Sequence, residues 1–328
     1  MTRRIIRIAL GALLFALCVS AEAQPPTKIC RIGVLSAGPA QDATYASRHD
    51  ALRQGLRQLG YMEGKNLTIE ERFANGKLDR QPPLASELVN SKVDAIVVGG
   101  ATGVRAARLA TNTIPIVMAF ISDDPVQAGF VASLARPGGN ITGLTSISTE
   151  LSGKRLELLK EAIPKVSRVA FIRDPTNPAT APAETETAAR VLKVKLQLLT
   201  AQNAGEFENA FRAAVTGRAD AVIIQSGGLF TTHQPLIINL AAKNRLPAMF
   251  TEQSYVSAGG LMAYATNITD LYRRAAVYVD KILKGATPAD LPVERPMKFE
   301  FIINLKTAKQ IGVIIPPNLL ARADRVIR

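Results

Sequence analysis

Two stretches of this chain repeat one another. Val93-Asp94-Ala95-Ile96-Val97-Val98-Gly99-Gly100 is matched by Ala219-Asp220-Ala221-Val222-Ile223-Ile224-Gln225-Ser226-Gly227-Gly228. Each is an acid, a short β-branched run and then small residues. A β-branched run without polar alternation reads as a strand covered on both faces, as in a parallel sheet. Other echoes keep the same order and a near-constant spacing. Arg31-Ile32-Gly33-Val34-Leu35 pairs with Arg168-Val169-Ala170-Phe171-Ile172, and Asn112-Thr113-Ile114-Pro115-Ile116-Val117 with Asn244-Arg245-Leu246-Pro247-Ala248-Met249. The repetition predicts two α/β lobes of one design with parallel sheets. Ligands of such sheets sit beyond the carboxyl ends of the strands, so two facing lobes make a cleft.

The remaining pattern fits that plan. Strands are expected over 32–36, 67–73, 95–98 and 114–120, with helices over 45–59, 79–91, 103–111 and 124–135. A helix over 149–162 carries the chain onward. The second half then reads as strands over 169–172, 195–199, 221–224, 247–251 and 299–303, with helices over 181–193, 206–215, 232–243 and 270–283.

The first 23 residues read as a leader rather than as fold. Arg3, Arg4 and Arg7 precede an apolar run from Ile8 to Val19, and Ala21-Glu22-Ala23 is a small-x-small cleavage site. This is the pattern of a secretory signal peptide cut before Gln24, and it predicts a periplasmic protein. The run is short for a membrane span. Leu17 stands before Cys18 where lipoprotein signals carry a small residue, so lipidation is not expected. After cleavage Cys30 is the sole cysteine, which excludes an internal disulfide.

Forty Lys and Arg stand against 27 Asp and Glu. That excess raises the question of nucleic acid. The basic residues are scattered over predicted helix faces, with no aromatic-interleaved run or recognition-helix motif. No nucleic-acid partner is expected. Two histidines stand far apart, without metal-ligand spacing. There is no nucleophile elbow, Walker loop or dinucleotide fingerprint. No cofactor, metal or catalytic group is expected.

The candidate site residues stand at the strand ends. Ser36 ends the first strand. Gly100, Ala101 and Thr102 end the third and open a helix, where free N–H groups and a hydroxyl suit a carboxylate. Thr102 as a plain helix cap is the competing reading. Asp124, before Pro125, reads chiefly as a cap. In the second half the strand ends carry Asp174 and Asn177, then Ser226 and Gly227, then Glu252. Asp174 or Glu252 suits a ligand ammonium, or is a solvated loop charge.

Several runs carry a family resemblance: Arg31-Ile32-Gly33-Val34-Leu35-Ser36, Gly55-Leu56-Arg57-Gln58-Leu59-Gly60-Tyr61-Met62-Glu63-Gly64-Lys65-Asn66, Ser133-Leu134-Ala135-Arg136-Pro137-Gly138-Gly139-Asn140 and Gly153-Lys154-Arg155-Leu156-Glu157-Leu158-Leu159-Lys160. Ala258-Gly259-Gly260-Leu261-Met262 and Pro316-Pro317-Asn318-Leu319-Leu320 extend it towards the C-terminus. In these the chain resembles the ABC transporter substrate-binding proteins of the tryptophan/tyrosine uptake type. The resemblance implies a type 1 periplasmic binding protein: two Rossmann-like lobes joined by a three-strand hinge, closing on a small amino-acid-like or carboxylate-bearing solute. It implies lobes of residues 28–146 plus 266–290 and 147–265 plus 291–328. Its partners would be the solute and an inner-membrane ABC permease, with the binding protein itself a monomer. The chain departs from the family's Gly-Thr-Pro after the third strand, carrying Gly100-Ala101-Thr102 instead. A solute-sensing partner of a membrane receptor shares the same fold and leader, and an exported enzyme is the third alternative.

Overall fold

The computed structural model describes residues 29–148, 150–176, 182–225, 227–296 and 298–328. The leader therefore lies outside the described residues, as do Asn177 and Ser226. In chain order the first half runs β1 (Cys30–Ser36), α1 (Ala43–Gln58), β2 (Leu67–Phe73), α2 (Gln81–Asn90), β3 (Ala95–Gly99), α3 (Ala101–Ala110), β4 (Ile116–Phe120) and β5 (Ile141–Gly143). Next come α4 (Ser152–Ala162), β6 (Arg168–Arg173), α5 (Ala183–Leu192), β7 (Lys195–Thr200), α6 (Glu206–Thr216), β8 (Ala221–Ile224), α7 (Gly228–Thr232), α8 (Gln234–Lys243), β9 (Ala248–Phe250), α9 (Gln253–Ser257) and β10 (Met262–Ala265). The chain ends with α10 (Ile268–Leu283), β11 (Glu300–Asn304), α11 (Leu305–Ile311), α12 (Pro317–Leu320) and β12 (Arg325–Ile327).

Two sheets result. The first has the order β2-β1-β3-β4-β5 and is parallel throughout. The second has the order β12-β11-β10-β9-β8-β6-β7, with β10 and β11 the antiparallel pair. Read from β7 to β10, the second sheet repeats the first strand for strand, as the duplication requires. The repeated acids explain themselves here. Asp94 Oδ2 accepts the Arg31 N–H at 2.8 Å, and Asp220 Oδ2 accepts those of Ser167 and Arg168 at 2.8 and 2.9 Å. Each acid ties the start of its lobe's third strand to the start of the first. Burial pushes the Asp220 carboxyl up, but these N–H donors outweigh it and hold it below its ordinary value.

Helices cover both faces of each sheet. On the first, α1 begins at Asp42, whose Oδ1 accepts from the N–H groups of Thr44 and Tyr45. Its buried stripe, Tyr45, His49, Leu52 and Leu56, has helical spacing. That stripe meets α10, whose Asn267 cap accepts from the Asp270 N–H at 3.0 Å. A Cβ on Gly55 would lie 2.4 Å from the Arg273 carbonyl, so only glycine lets these two helices approach so closely.

One expected helix is absent. Residues 124–135 form turns. Asp124 Oδ1 accepts from the N–H groups of Val126 and Gln127, and the Phe130 N–H returns to the Pro125 carbonyl. Gly129, at φ +71°, turns the chain out of the helix after a single turn. Phe130 and Val131 are buried in the first-lobe core and Leu134 packs against it, a spacing of three and four residues that imitates a helix.

The chain passes between the sheets three times: after β5, after β10, and before β11. The passages are bonded together. The Thr145 N–H donates to the Glu294 carbonyl at 3.0 Å, and the Glu294 N–H to the Gly143 carbonyl at 2.9 Å. The Thr266 hydroxyl donates to the Ser146 carbonyl at 3.0 Å. Arg155 of α4, completely buried, donates from Nε to the Tyr264 carbonyl at 2.8 Å and from both terminal nitrogens to Ser148. Burial pushes its guanidinium down to about 9, still above neutral pH, so it stays charged.

Candidate functional site

The carboxyl ends of both sheets face a cavity between the lobes. The first lobe lines it with Tyr45, Arg48, the Gly99–Thr102 turn, Phe120, Asp123 and Tyr272, and the second with Gly227, Gly228, Thr231 and Glu252. Its free space is small, about 40 Å³. A more open groove of about 480 Å³ lies beside it, with Thr44, Ser254, Arg273 and Arg325 on its walls. The smaller cavity is the better candidate because strand ends and buried opposite charges converge on it.

The lobes touch around this cavity. Arg48 Nη2 of α1 meets Glu252 Oε2, in the turn after β9, at 2.5 Å, and both side chains are buried. The Arg48 guanidinium lies 5.3 Å from the Tyr45 ring centre and 5.4 Å from that of Phe120, a cation–π arrangement. Burial pushes Arg48 down, but Glu252 outweighs it and holds the guanidinium above its ordinary value. The Thr231 hydroxyl donates to Glu252 Oε1 at 3.3 Å. Burial raises the Tyr45 and Tyr272 phenols to about 12. Nearby, Thr44 donates to Gln234 Oε1 at 3.5 Å across the cleft. A Cβ on Gly228 would lie 2.8 Å from Leu78 Cδ2, so the start of α7 rests against the first lobe.

Five of the residues singled out in the sequence line this cavity: Gly100, Ala101, Thr102, Gly227 and Glu252. The helix after β3 starts at Ala101 with Gly100 at the cap position, at φ +80°. Thr102 is therefore not the cap, and the N–H groups of the first turn of α3, which have no acceptor within their own helix, stand at the cavity wall. Ser36, Asp124 and Asp174 do not line it. Ser36 is buried and donates to the Gly38 carbonyl at 3.2 Å. Asp124 is exposed and caps its own turn. Asp174 accepts from the N–H and hydroxyl of Thr176 at 2.8 and 2.7 Å. Sequence reasoning missed Arg48, Tyr45, Phe120, Asp123 and Tyr272. A signal for Arg48 was present: it is a charged residue on the apolar stripe of α1, between Tyr45 and Leu52. Among the described residues no group of three or more His, Cys, Asp or Glu side chains is placed to hold a metal.

Asp123 gives the cavity a pH response. Burial pushes its carboxyl from the ordinary 3.8 up to about 6, against the opposing pull of Arg105. The folded chain therefore keeps a proton that the unfolded chain releases between about pH 4 and pH 6. Stability should fall as pH rises through that window, by on the order of 1–2 kcal/mol once partial solvent screening is allowed for. Asp123→Asn should be more stable than wild type at pH 7 and should lack this slope. Denaturant midpoints across the window measure it, and parallel curves for the two proteins would refute the assignment.

Comparison with known proteins agrees with this geometry. The sequence profile of the family described as ABC transporter substrate binding protein matches residues 32–327. A tyrosine-binding protein of Clostridioides difficile (strain R20291) is 28% identical over 263 residues, covering 79% of this chain and 75% of the relative. A conserved domain protein from Vibrio cholerae has 28% identity and a TM-score of 0.84, over 91% of this chain and 100% of its own. An ABC domain from Streptococcus pneumonia in complex with L-Trp shares the fold, with a TM-score of 0.82 at 23% identity, over 91% of this chain and 99% of its own.

Proposed function

The chain belongs to the family of ABC transporter substrate-binding proteins, and from that premise we propose that it captures a small amino-acid-like solute in the interlobe cavity and delivers it to a membrane permease. It is a solute-binding protein rather than an enzyme. The observation that carries the solute class is the cavity wall, with a buried cation from the first lobe and a buried carboxylate from the second. The N–H groups at the start of α3, with the Thr102 hydroxyl, add donors for a carboxylate. The tyrosine-binding relative and the L-Trp complex favour an aromatic amino acid, as do the rings of Tyr45, Phe120 and Tyr272 on the wall.

The basic start, apolar run and small-x-small site of the leader support a periplasmic protein whose mature chain starts at Gln24, and the proposed form is a monomer. No helix among the described residues is long and apolar enough to cross a membrane. Calorimetry of the mature protein against L-tyrosine, L-tryptophan and the other common amino acids tests the reading. One or a few should bind with a micromolar or tighter Kd, and the same molecule should appear by mass spectrometry in protein purified from the native periplasm. Binding of none of them, with a sugar or polyol co-purifying instead, would overturn it.

A further inference from the structure

The cavity holds about 40 Å³, room for a few water molecules and too little for an organic solute. Beside the Thr44–Gln234 hydrogen bond and the packing of Gly228 on Leu78, it is closed by the Arg48–Glu252 pair, one charge from each lobe, meeting at 2.5 Å. A solute that enters between the lobes meets these two groups on facing walls of the cavity. Separating them leaves two buried charges that need new partners, because a buried charge without one is costly.

We infer that the Arg48–Glu252 pair is an exchangeable latch: the bound solute replaces it, with an anionic group on Arg48 and a cationic group on Glu252. This rests on the reading that the cavity takes an amino-acid-like solute, and it names the residues that enforce that class. One interlobe contact is exchanged for two lobe–solute contacts, so closure is retained. A solute with both charges completes the exchange. A solute with one charge strands either Arg48 or Glu252, and the cavity discriminates against it. Each group is built to wait. Arg48 is held by the faces of Tyr45 and Phe120, and Glu252 by the Thr231 hydroxyl, so breaking the pair leaves each side chain where it stands. The same pair closes the lobes on each other when no solute lies between them.

The experiment uses the mature chain with L-tyrosine, tyramine, which lacks the carboxylate, and hydroxyphenylpropionate, which lacks the amine. Variants are Arg48→Met and Glu252→Gln. Wild type should bind L-tyrosine at least roughly 30-fold more tightly than either analogue, the scale of a stranded buried charge. Arg48→Met should lose L-tyrosine affinity and prefer tyramine. Glu252→Gln should lose it and prefer hydroxyphenylpropionate. This crossover in preference is not expected from variants that merely loosen the fold. Small-angle scattering without solute supplies a second reading, since both variants should be more extended than wild type. L-tyrosine binding by both variants within about twofold of wild type would overturn the latch. If wild type binds no amino acid, the functional reading fails on its own, and the latch is judged by scattering: unchanged dimensions in both variants would overturn it too.

Discussion

Gly143→Ala is expected to destabilise the protein by about 4 kcal/mol or more, the upper range for a single substitution. Gly143 ends β5, where the chain leaves the first sheet for the first passage between lobes. Its φ of +131° is a conformation that side-chain-bearing residues rarely adopt. A Cβ there would stand 2.2 Å from the Met118 carbonyl oxygen and 2.7 Å from the Met118 nitrogen. Met118 lies in β4, fully buried and bonded into the ladder, so the obstacle is backbone and cannot swing aside. The strain also falls on the Gly143 carbonyl, which accepts the Glu294 N–H of the third passage. Chemical unfolding followed by circular dichroism measures the loss. A variant within about 1 kcal/mol of wild type would mean that this junction is softer than its packing requires.

The second large effect concerns Arg155. Arg155→Met keeps the length and apolar packing of the side chain but removes every donor. The carbonyls of Ser148 and Tyr264 then lose the guanidinium that serves them. An orphaned buried acceptor costs about 1–3 kcal/mol, so the variant should lose roughly 3 kcal/mol or more in total. Arg155→Lys restores the charge without the planar fork that reaches both carbonyls, and should recover only part of the loss. Equal stability of the methionine variant and wild type would show that these carbonyls find other partners. Because Ser148 and Tyr264 flank two of the three passages, the variant should also broaden the range of lobe orientations seen by scattering.

The duplication made most of the fold legible. Paired strand runs, acids at fixed places and long amphipathic helices are local signals, and they appear in the structure where the periodicity puts them. Short strands were legible only where they are part of the repeat, as β8 and β9 are. Ile141–Gly143 and Met262–Ala265, three and four residues long, were missed, and they are strands through pairing with neighbours distant in sequence, β4 for the first and β9 and β11 for the second. The turn region 124–135 imitates a helix because Phe130, Val131 and Leu134 meet the core at helical spacing, while the conformation of Gly129 decides the matter. Of the site, Glu252 and the Gly100–Thr102 turn could be read because strand ends face clefts. Arg48 could not be read in the same way, since its partner lies 204 residues away. Nothing local distinguishes a helix arginine destined for burial from one that faces water, except its place on the apolar stripe. Ser36, Asp124 and Asp174 show the reverse: strand-end polar groups that satisfy the turns in which they sit.

The packing of α10 on α1 sets an order on folding. The first lobe has all five of its strands by residue 143, yet the helix that covers the stripe of Leu52 and Leu56 is encoded at 268–283. Until that segment arrives, one face of the first sheet and the inner side of α1 remain exposed to solvent. The second lobe closes shorter loops: β6 to β10 and their helices lie in one uninterrupted stretch, and β11, α11, α12 and β12, which complete its sheet and core, follow directly after α10. It should therefore gain protected amides first during refolding, although it is synthesised later, while the first lobe stays loose until the distant helix closes a loop of more than two hundred residues.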